Sequence, residues 1–140
     1  MPVVIVLIEQ EEGAMVIQID FQSEEALYLQ LRNQIILGIA SSLLREGDTL
    51  PPVRQLAGDI GINMHTVNKA YSVLREEGFI TVDRRRGAVI ALDVDKEEAA
   101  LQLRQSLQPI LAAASCRNIS KEEVCRVVDE IYAQWEEKND

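Results

Sequence analysis

Apolar residues recur first with the period of a strand and then with that of a helix. Met15–Phe21 alternates apolar and polar side chains, which predicts a short strand with one buried face. Ser23 and two acidic residues follow, as is typical of a helix N-terminus, so we expect a first helix over residues 24–44. Its apolar stripe would be formed by four residues spaced four apart, Leu27, Leu31, Ile35 and Ile39.

Two further helices with a sharp turn between them are predicted next. Pro52 suits the first turn of a short helix over residues 53–60, and Gly61 is expected to end it. Asn63 is a favourable N-cap for a third helix, which should stop before Gly78. The apolar stripe of the third helix comprises Val67, Ala70, Tyr71 and Leu74, and its polar face comprises His65, Asn68, Lys69 and Ser72.

A β-hairpin is predicted after the third helix. The β-branched runs over residues 79–82 and 88–92 are separated by Asp-Arg-Arg-Arg-Gly, so the tip would carry Arg84, Arg85 and Arg86. Helix, helix, turn, helix and hairpin is the order of a winged helix-turn-helix, in which the third helix enters the DNA major groove. This order explains why that helix opens with polar groups, and the arginines of the hairpin suit a narrow minor groove.

Two amphipathic helices are predicted after Asp93. The first covers residues 96–115 with a kink expected at Pro109, and the second opens at a capping box formed by Ser120 and Glu123. Their apolar stripes cannot be covered by each other alone, so a partner surface is implied, and a second copy of the chain would provide it. The expected dimerisation residues are Leu103, Leu107, Ile110, Leu111, Val124, Val128, Ile131 and Trp135.

The expected fold class is therefore mainly α with a small β-hairpin wing. An N-terminal winged helix-turn-helix would occupy residues 15–92, and a C-terminal two-helix dimerisation tail would occupy residues 93–140. The net charge of −9 is uneven, with −3 over residues 1–14, −1 over residues 15–92 and −5 over residues 93–140. The segment that carries the three arginines is thus near neutral, and a local positive patch matters more than the total charge for binding a polyanion.

Residues 1–14 have two interpretations. Glu-Glu-Gly shortly before Met15 is what a purine-rich ribosome-binding stretch encodes when it is translated. This suggests that Met15 is the native start and that the preceding residues are a mis-called extension. The alternative is an extra edge strand, and amino-terminal sequencing of the native protein would distinguish the two.

Composition argues against several other classes of protein. Cys116 and Cys125 have no companions at metal-binding spacing and are expected to be reduced thiols, and a single histidine cannot build a histidine metal cluster. We therefore expect no metal or other cofactor. The sequence contains neither a Ser/His/Asp set nor a glycine-rich phosphate loop, so these features give no indication of an enzyme. The apolar run over residues 3–8 is too short to span a bilayer, so we expect a cytoplasmic protein with no membrane partner.

Four motifs in a fixed order make roughly residues 18–92 similar to a known family. They are G-D-x-L-P-x-x-R-x-L-A from Gly47, T-V-x-x-A from Thr66, L-x-x-E-G from Leu74, and R-R-G at the hairpin tip. The segment resembles the DNA-binding domain of the GntR family of bacterial transcriptional regulators. The short two-helix tail resembles the YtrA-like subfamily of that family in particular.

The resemblance implies a DNA-contacting role for residues of the second helix, the third helix and the wing. Pro52 stands where many members have serine, and Met64 stands where many have a polar or basic residue. These two departures leave the base preference open. The implied DNA-binding residues are Arg54, Asn63, Met64, His65, Thr66, Asn68, Lys69, Arg84, Arg85, Arg86 and Gly87.

The resemblance also implies a homodimeric repressor that binds an inverted-repeat operator in double-stranded DNA, with a transporter operon as the target class. The tail is too short to enclose a ligand pocket of about 300 Å³ within one chain. A small-molecule effector site between two chains therefore stays open. The alternative function is a winged-helix protein–protein interaction module without specific DNA binding.

Overall fold

The computed structural model describes residues 3–10, 13–93 and 95–138 of the chain. It divides into two compact units, with the boundary after Asp93. The elements in chain order are β1 (Val3–Gln10), β2 (Gly13–Asp20), α1 (Leu27–Ala40), α2 (Val53–Ile60), α3 (Met64–Glu76), β3 (Ile80–Asp83), β4 (Gly87–Ile90), α4 (Lys96–Cys116) and α5 (Lys121–Lys138).

The hydrophobic core of the first unit lies between α1, α2, α3 and one face of β2. The apolar stripes predicted for the first and third helices supply a large part of it, because an amphipathic helix buries its apolar face against its neighbours. The buried members from these helices are Leu31 and Ile35 of α1 and Val67, Ala70, Tyr71 and Leu74 of α3, while Leu27 and Ile39 are partly buried against them.

An antiparallel hairpin precedes α1. Strand β1 pairs with β2 along its whole length, from Val3 opposite Asp20 to Gln10 opposite Gly13. In β2, Ile17 and Ile19 are fully buried whereas Val16 is exposed, as expected for a strand with one face on the core. The predicted strand is thus confirmed, and residues 3–10 form a strand beside it. That Met15 is the native start stays a prediction.

The expected start of α1 at a Ser23 cap is wrong. The hydroxyl of Ser23 instead accepts a hydrogen bond from the N–H of Glu25 (3.1 Å), which forms a local turn. Gln30 holds this turn, because its Nε2 donates to the carbonyls of Asp20 (3.0 Å) and Glu25 (2.9 Å) and its Oε1 accepts from the Asp20 N–H (2.8 Å). The helix therefore begins only at Leu27, after Ala26, with no side-chain cap.

The last residues predicted for the first helix lie outside it. Helix α1 ends at Ala40, and Ser42 adopts a left-handed backbone conformation with a φ of 59°. The N–H groups of Leu43 and Leu44 both donate to the carbonyl of Gly38, which turns the chain out of the helix. Leu44 is nevertheless buried, so its apolar side chain serves the core from a turn.

The boundaries of α2 and α3 agree with the capping residues in the sequence. Gly61 ends α2 in the left-handed conformation, with a φ of 84°. Asn63 caps α3, and its side-chain oxygen accepts from the N–H of His65 (2.8 Å). At the far end, Gly78 also has a φ of 84°, and the N–H of Phe79 donates to the carbonyl of Leu74 in a Schellman arrangement.

The wing is attached to the segment that precedes α2. Strands β3 and β4 pair from Ile80 opposite Ile90 to Asp83 opposite Gly87, as predicted for the hairpin. Residues 47–50 run beside β4 and form a third line of pairing, because the Leu50 N–H donates to the Ala88 carbonyl (2.9 Å) and the Ile90 N–H to the Asp48 carbonyl (2.8 Å). The wing is therefore anchored through the outer edge of β4 to the segment before α2.

The second unit consists of α4 and α5, joined by a short turn in which Asn118 has a φ of 61°. Helix α4 continues through Pro109 and is capped by Asp95, and Ser120 accepts from the N–H of Glu123 (3.1 Å) as one half of the predicted capping box. Over residues 95–138 the two helices do not pack along each other's lengths, and α4 has no buried residue. Cys116 and Cys125 are free and exposed.

Replacing Gly78 with alanine should destabilise the first unit. An alanine in the left-handed region costs about 1–2 kcal/mol, and the added Cβ would lie 3.0 Å from the Cβ of Asp93. Urea denaturation should therefore show a lower free energy of unfolding for Gly78→Ala. The matched control is Gly58→Ala, since an added Cβ within α2 has nothing within 4 Å. That variant should be unchanged or more stable by up to about 1 kcal/mol. Equal stability of the two variants would contradict the strain at Gly78.

Candidate nucleic-acid interface

The polar face of α3 is exposed along the helix. Met64, His65, Asn68, Lys69 and Ser72 are all exposed, whereas the residues between them on the opposite side form the core. Thr66 is half-buried, so only part of its side chain is accessible. The predicted recognition residues of this helix therefore share one accessible surface.

Asn63 is positioned both to cap α3 and to present donors. Its Oδ1 is occupied by the His65 N–H, which satisfies one of the free amide groups of the first turn. The Nδ2 group is not needed for the cap. An asparagine amide at the start of a helix can thus stabilise the helix through one atom and offer hydrogen-bond donors through the other.

Arg54 lies in the first turn of α2, exposed, close after the Pro51–Pro52 segment. Among the described residues it makes no ion pair. The start of α2 is fixed to α3 because the buried hydroxyl of Tyr71 donates to the Pro51 carbonyl (2.7 Å), and burial raises the pKa of that hydroxyl. The position of Arg54 relative to the third helix is therefore well defined.

The tip of the wing is shaped by Asp83. Its Oδ1 accepts from the backbone N–H of Arg85 (2.7 Å) and of Arg86 (3.3 Å), which closes the turn between β3 and β4. These hydrogen bonds, the one from Arg85 first, hold the pKa of the Asp83 carboxyl below its usual value because they favour the ionised form. The carboxylate is thus used to order the loop that carries the arginines.

The three wing arginines do not have the same environment. Arg84 and Arg85 are exposed at the turn, whereas the guanidinium of Arg86 donates to the carbonyl of Gly47. Gly87 is the first residue of β4 and has a φ of 78°. The guanidinium groups of Arg84 and Arg85 make no hydrogen bond or ion pair with the part of the chain that the structure describes, while Arg86 also ties the wing to the segment before α2.

An open groove of about 430 Å³ separates α3 from the wing. Asn68, Ser72 and Arg75 line it from α3, and Arg86 and Gly87 line it from the wing. Its remaining lining comes from the Thr49–Val53 segment before and at the start of α2, from Tyr71 and Ile80 of the core, and from Val82 and Ala88 of the wing. The exposed flank of α3, the start of α2 and the wing thus border one concave surface.

Two groove residues lie outside the predicted set of DNA-binding residues. The sequence pattern places Ser72 on the polar face of α3 but indicates no role for Arg75. Arg75 lies seven residues after Asn68, so two turns of helix bring it to the same flank. That spacing is the signal that would have indicated it. On the opposite flank, the ammonium group of Lys69 lies 4.1 Å from the centre of the Tyr28 ring.

Other kinds of site receive no support from the described part of the chain. No group of three or more histidine, cysteine, aspartate or glutamate residues there is placed to hold a metal ion. None of the helices in the described ranges combines the length and apolar character that a bilayer crossing needs.

Three features lie around one groove: an exposed polar recognition helix, a helix start that carries an arginine, and a hairpin with arginines at its tip. Together they define a winged helix-turn-helix DNA-binding protein. A family profile described as bacterial regulatory proteins, gntR family, matches residues 24–90. The HTH-type transcriptional repressor YtrA of Bacillus subtilis is 32% identical over 129 residues, which cover 89% of this chain and 99% of that protein.

Solved structures agree with these similarities. YtrA from Sulfolobus acidocaldarius, a GntR-family transcription factor, is 42% identical and has a TM-score of 0.55 over 65% of this chain and 96% of that one. A transcriptional antiterminator from Listeria monocytogenes EGD-e is 27% identical, with a TM-score of 0.73 over 80% of this chain and 86% of that one. The chain belongs to the GntR family and is similar to its YtrA-type members; it is a DNA-binding transcriptional regulator and not an enzyme.

The carboxyl group of Asp83 should titrate below the usual aspartate pKa of about 3.9. Because the folded-state pKa is lowered, its contribution to stability is complete above the unfolded-state pKa and is lost as the pH falls through the folded-state value. NMR titration of the carboxyl carbon should show this, and the amide signals of Arg85 and Arg86 should shift with it. In Asp83→Asn, which keeps an acceptor without an ionisable group, those amide signals should not follow the same curve. A pKa at or above the usual value would contradict the hydrogen-bonded tip.

Proposed function

We propose that α3 enters the major groove of double-stranded DNA and that the wing contacts the adjacent minor groove. The N-terminal turn of α3, with Asn63, Met64, His65 and Thr66, would face the base edges, since the first residues of a recognition helix reach furthest into the groove. Asn68 would extend this surface by one turn. The observation that carries the proposal is the single groove bordered by α3, the start of α2 and the wing.

Cations at three positions would bind the DNA backbone and the minor groove. Arg54 at the start of α2 and Lys69 on α3 would contact phosphates, which position the protein without reading sequence. Arg84 and Arg85 are exposed at the wing tip and would enter the narrow minor groove. Arg86 and Gly87 would hold the tip in place and line the groove between α3 and the wing.

Removing one of these cations should weaken binding to all DNA sequences. Arg54→Ala and Arg85→Ala should each lower the affinity in a gel-shift assay with DNA from upstream of the chain's own gene. The slope of log affinity against log salt should fall by about 0.9 for each phosphate that the variant no longer neutralises. His65→Ala should instead reduce the preference for the specific site over unrelated DNA, because alanine cannot hydrogen-bond to a base edge.

The matched control for charge is Arg126→Ala on α5, which removes an exposed arginine of the second unit from the side of the helix opposite its apolar stripe. Its DNA affinity and salt slope should stay close to those of the unchanged chain. If Arg54→Ala and Arg85→Ala also leave DNA binding unchanged while a protein partner is retained, the chain acts as a protein–protein interaction module and the proposal is wrong.

We further propose that the second unit forms a homodimer. The apolar stripe of α4 is exposed over Leu103, Leu107, Ile110 and Leu111, with Ile110 61% accessible. Soluble proteins rarely leave such a contiguous apolar surface in water, so a partner surface is needed. A second copy meets this need because both chains then present the same complementary stripe about a two-fold axis.

Helix α5 would supply the other half of this interface. Val128 and Ile131 are exposed, Val124 is half-buried, and the half-buried Trp135 packs edge-on against Tyr132 with ring centres 4.9 Å apart. An aromatic pair at the end of an apolar stripe is suited to anchor an interface. The net charge of −5 on residues 93–140 argues against the second unit binding DNA.

A two-fold dimer of winged helices would bind an inverted repeat, because the symmetry of the protein then matches that of the operator. We propose that the chain is a cytoplasmic repressor, with a transporter operon as the target class that its family resemblance implies. An effector site between the two chains, which stays open, would exist only in the dimer, and dimer formation is therefore the first property to test.

An acidic residue in the apolar stripe of α4 should dissociate the dimer. Ile110→Glu is expected to shift the mass measured by sedimentation equilibrium from two chains toward one, because the interface would bury an unpaired carboxylate. Gln105→Glu adds the same charge about half a helical turn away from the stripe and should remain dimeric. A chain that is monomeric before any substitution, or an Ile110→Glu variant that stays dimeric, would contradict this interface.

A further inference from the structure

Tyr28 and Lys69 form a contact that none of the predicted roles explains. Tyr28 lies in the first turn of α1, and the Lys69 ammonium group lies over its ring at 4.1 Å from the centre. The ring is half-buried, whereas Lys69 is exposed. Within the described residues the Tyr28 hydroxyl makes no hydrogen bond, so the pair presents a cation and a free hydroxyl close together.

The pair lies on the flank of α3 that faces away from the wing. Successive residues of an α-helix are rotated by about 100°, so Lys69 is displaced by that angle from Asn68, which lines the wing-side groove. Asn68, Ser72 and Arg75 thus define one flank of α3, next to the wing. Lys69 defines the other flank, next to the start of α1.

A helix in the major groove has a phosphate backbone on each side of it. The major groove of DNA is about 12 Å wide and is filled by the helix, so each flank of the helix comes close to one of the two DNA strands. The groove between α3 and the wing would face the backbone of one DNA strand. Resting on the DNA interface proposed above, we propose that Tyr28 and Lys69 together bind a backbone phosphate of the other strand.

The chemistry of the pair suits a phosphate oxygen. The ammonium group supplies charge and up to three donors, and the tyrosine hydroxyl supplies a further donor. The ring restricts the lysine, whose flexible side chain would otherwise lose much conformational entropy on binding. Tyr28 is itself held because α1 is packed into the core through Leu31 and Ile35, which are fully buried. Tyr28 is therefore a positioning residue for Lys69 as well as a contact of its own.

A purely structural role is the rival explanation, since α1 is also joined to the residue that caps the end of α3 by the ion pair between Arg32 and Glu77. A contact that only fastens the two helices would change stability but not the salt dependence of DNA binding. A phosphate contact would change that dependence, because counterions are released when a cation neutralises the phosphate. The salt slope therefore distinguishes the two roles.

The test measures binding of the full chain to a fluorescein-labelled DNA duplex of arbitrary sequence, about 30 base pairs long, by anisotropy between about 0.05 and 0.2 M salt. Lys69→Met should lower the salt slope by about 0.9 for each bound protomer. Tyr28→Leu should lower the affinity about two- to fivefold and also reduce the slope. Tyr28→Phe, which keeps the ring, should keep the slope.

The decisive comparison is the double variant. Tyr28→Leu should weaken binding less in the Lys69→Met background than in the unchanged chain, because the effect of the ring acts through the lysine and only the hydroxyl contact is then left to lose. Arg126→Met, which removes an exposed cation from the side of α5 opposite its apolar stripe, is the matched charge control and should bind as the unchanged chain does. Thermal unfolding of each variant checks its fold, and Lys69→Met is an exposed change that carries the test even if Tyr28→Leu unfolds.

Two outcomes would overturn the inference. In the first, Tyr28→Leu weakens binding equally in the presence and in the absence of Lys69. In the second, Lys69→Met and Tyr28→Leu leave the salt slope unchanged, whereas Arg54→Ala and Arg85→Ala reduce it. In the second case the proposed DNA interface stands and only the contact at Tyr28 and Lys69 is wrong. If none of these four substitutions affects DNA binding, the proposed interface itself is wrong.

Discussion

The packing of one face of α3 is the constraint on which the DNA interface depends. Val67, Ala70 and Leu74 are fully or almost fully buried against α1 and α2, so the helix cannot rotate without exposing them. Because helical geometry places residues three or four apart on one face, burial of this stripe forces His65 and Asn68 outward. The same packing that stabilises the unit therefore selects which side chains meet DNA.

Backbone pairing adds a second constraint, which positions the wing. Residues 47–50 hydrogen-bond to β4 and then lead directly into α2, and the Tyr71 hydroxyl binds the Pro51 carbonyl between them. The wing, the start of α2 and α3 are thus connected through one short segment of chain. A change at this segment would move Arg54 and the arginine tip together, which explains how separate elements keep a common spacing toward a duplex.

Local signals in the sequence were sufficient for most of the elements and insufficient where tertiary contacts competed with them. The caps at Asn63 and Gly78 were found correctly because each acts on its own helix end. Ser23 failed as a cap because Gln30, seven residues later, binds the backbone of the preceding turn and holds it out of the helix. The use of Arg86 to bind Gly47 was likewise invisible, since 39 residues separate the two.

The sequence by itself determined the order of helices and wing, the two faces of α3, the motifs that indicate the family, and the unpartnered apolar stripes of the tail. Periodicity and capping are local properties, so the chain states them directly. Only the tertiary structure decided which residues border one groove, how Asp83 and Gly47 order the wing, and that Tyr28 lies beneath Lys69. Those relations depend on contacts between segments far apart in the chain, and no local pattern specifies them.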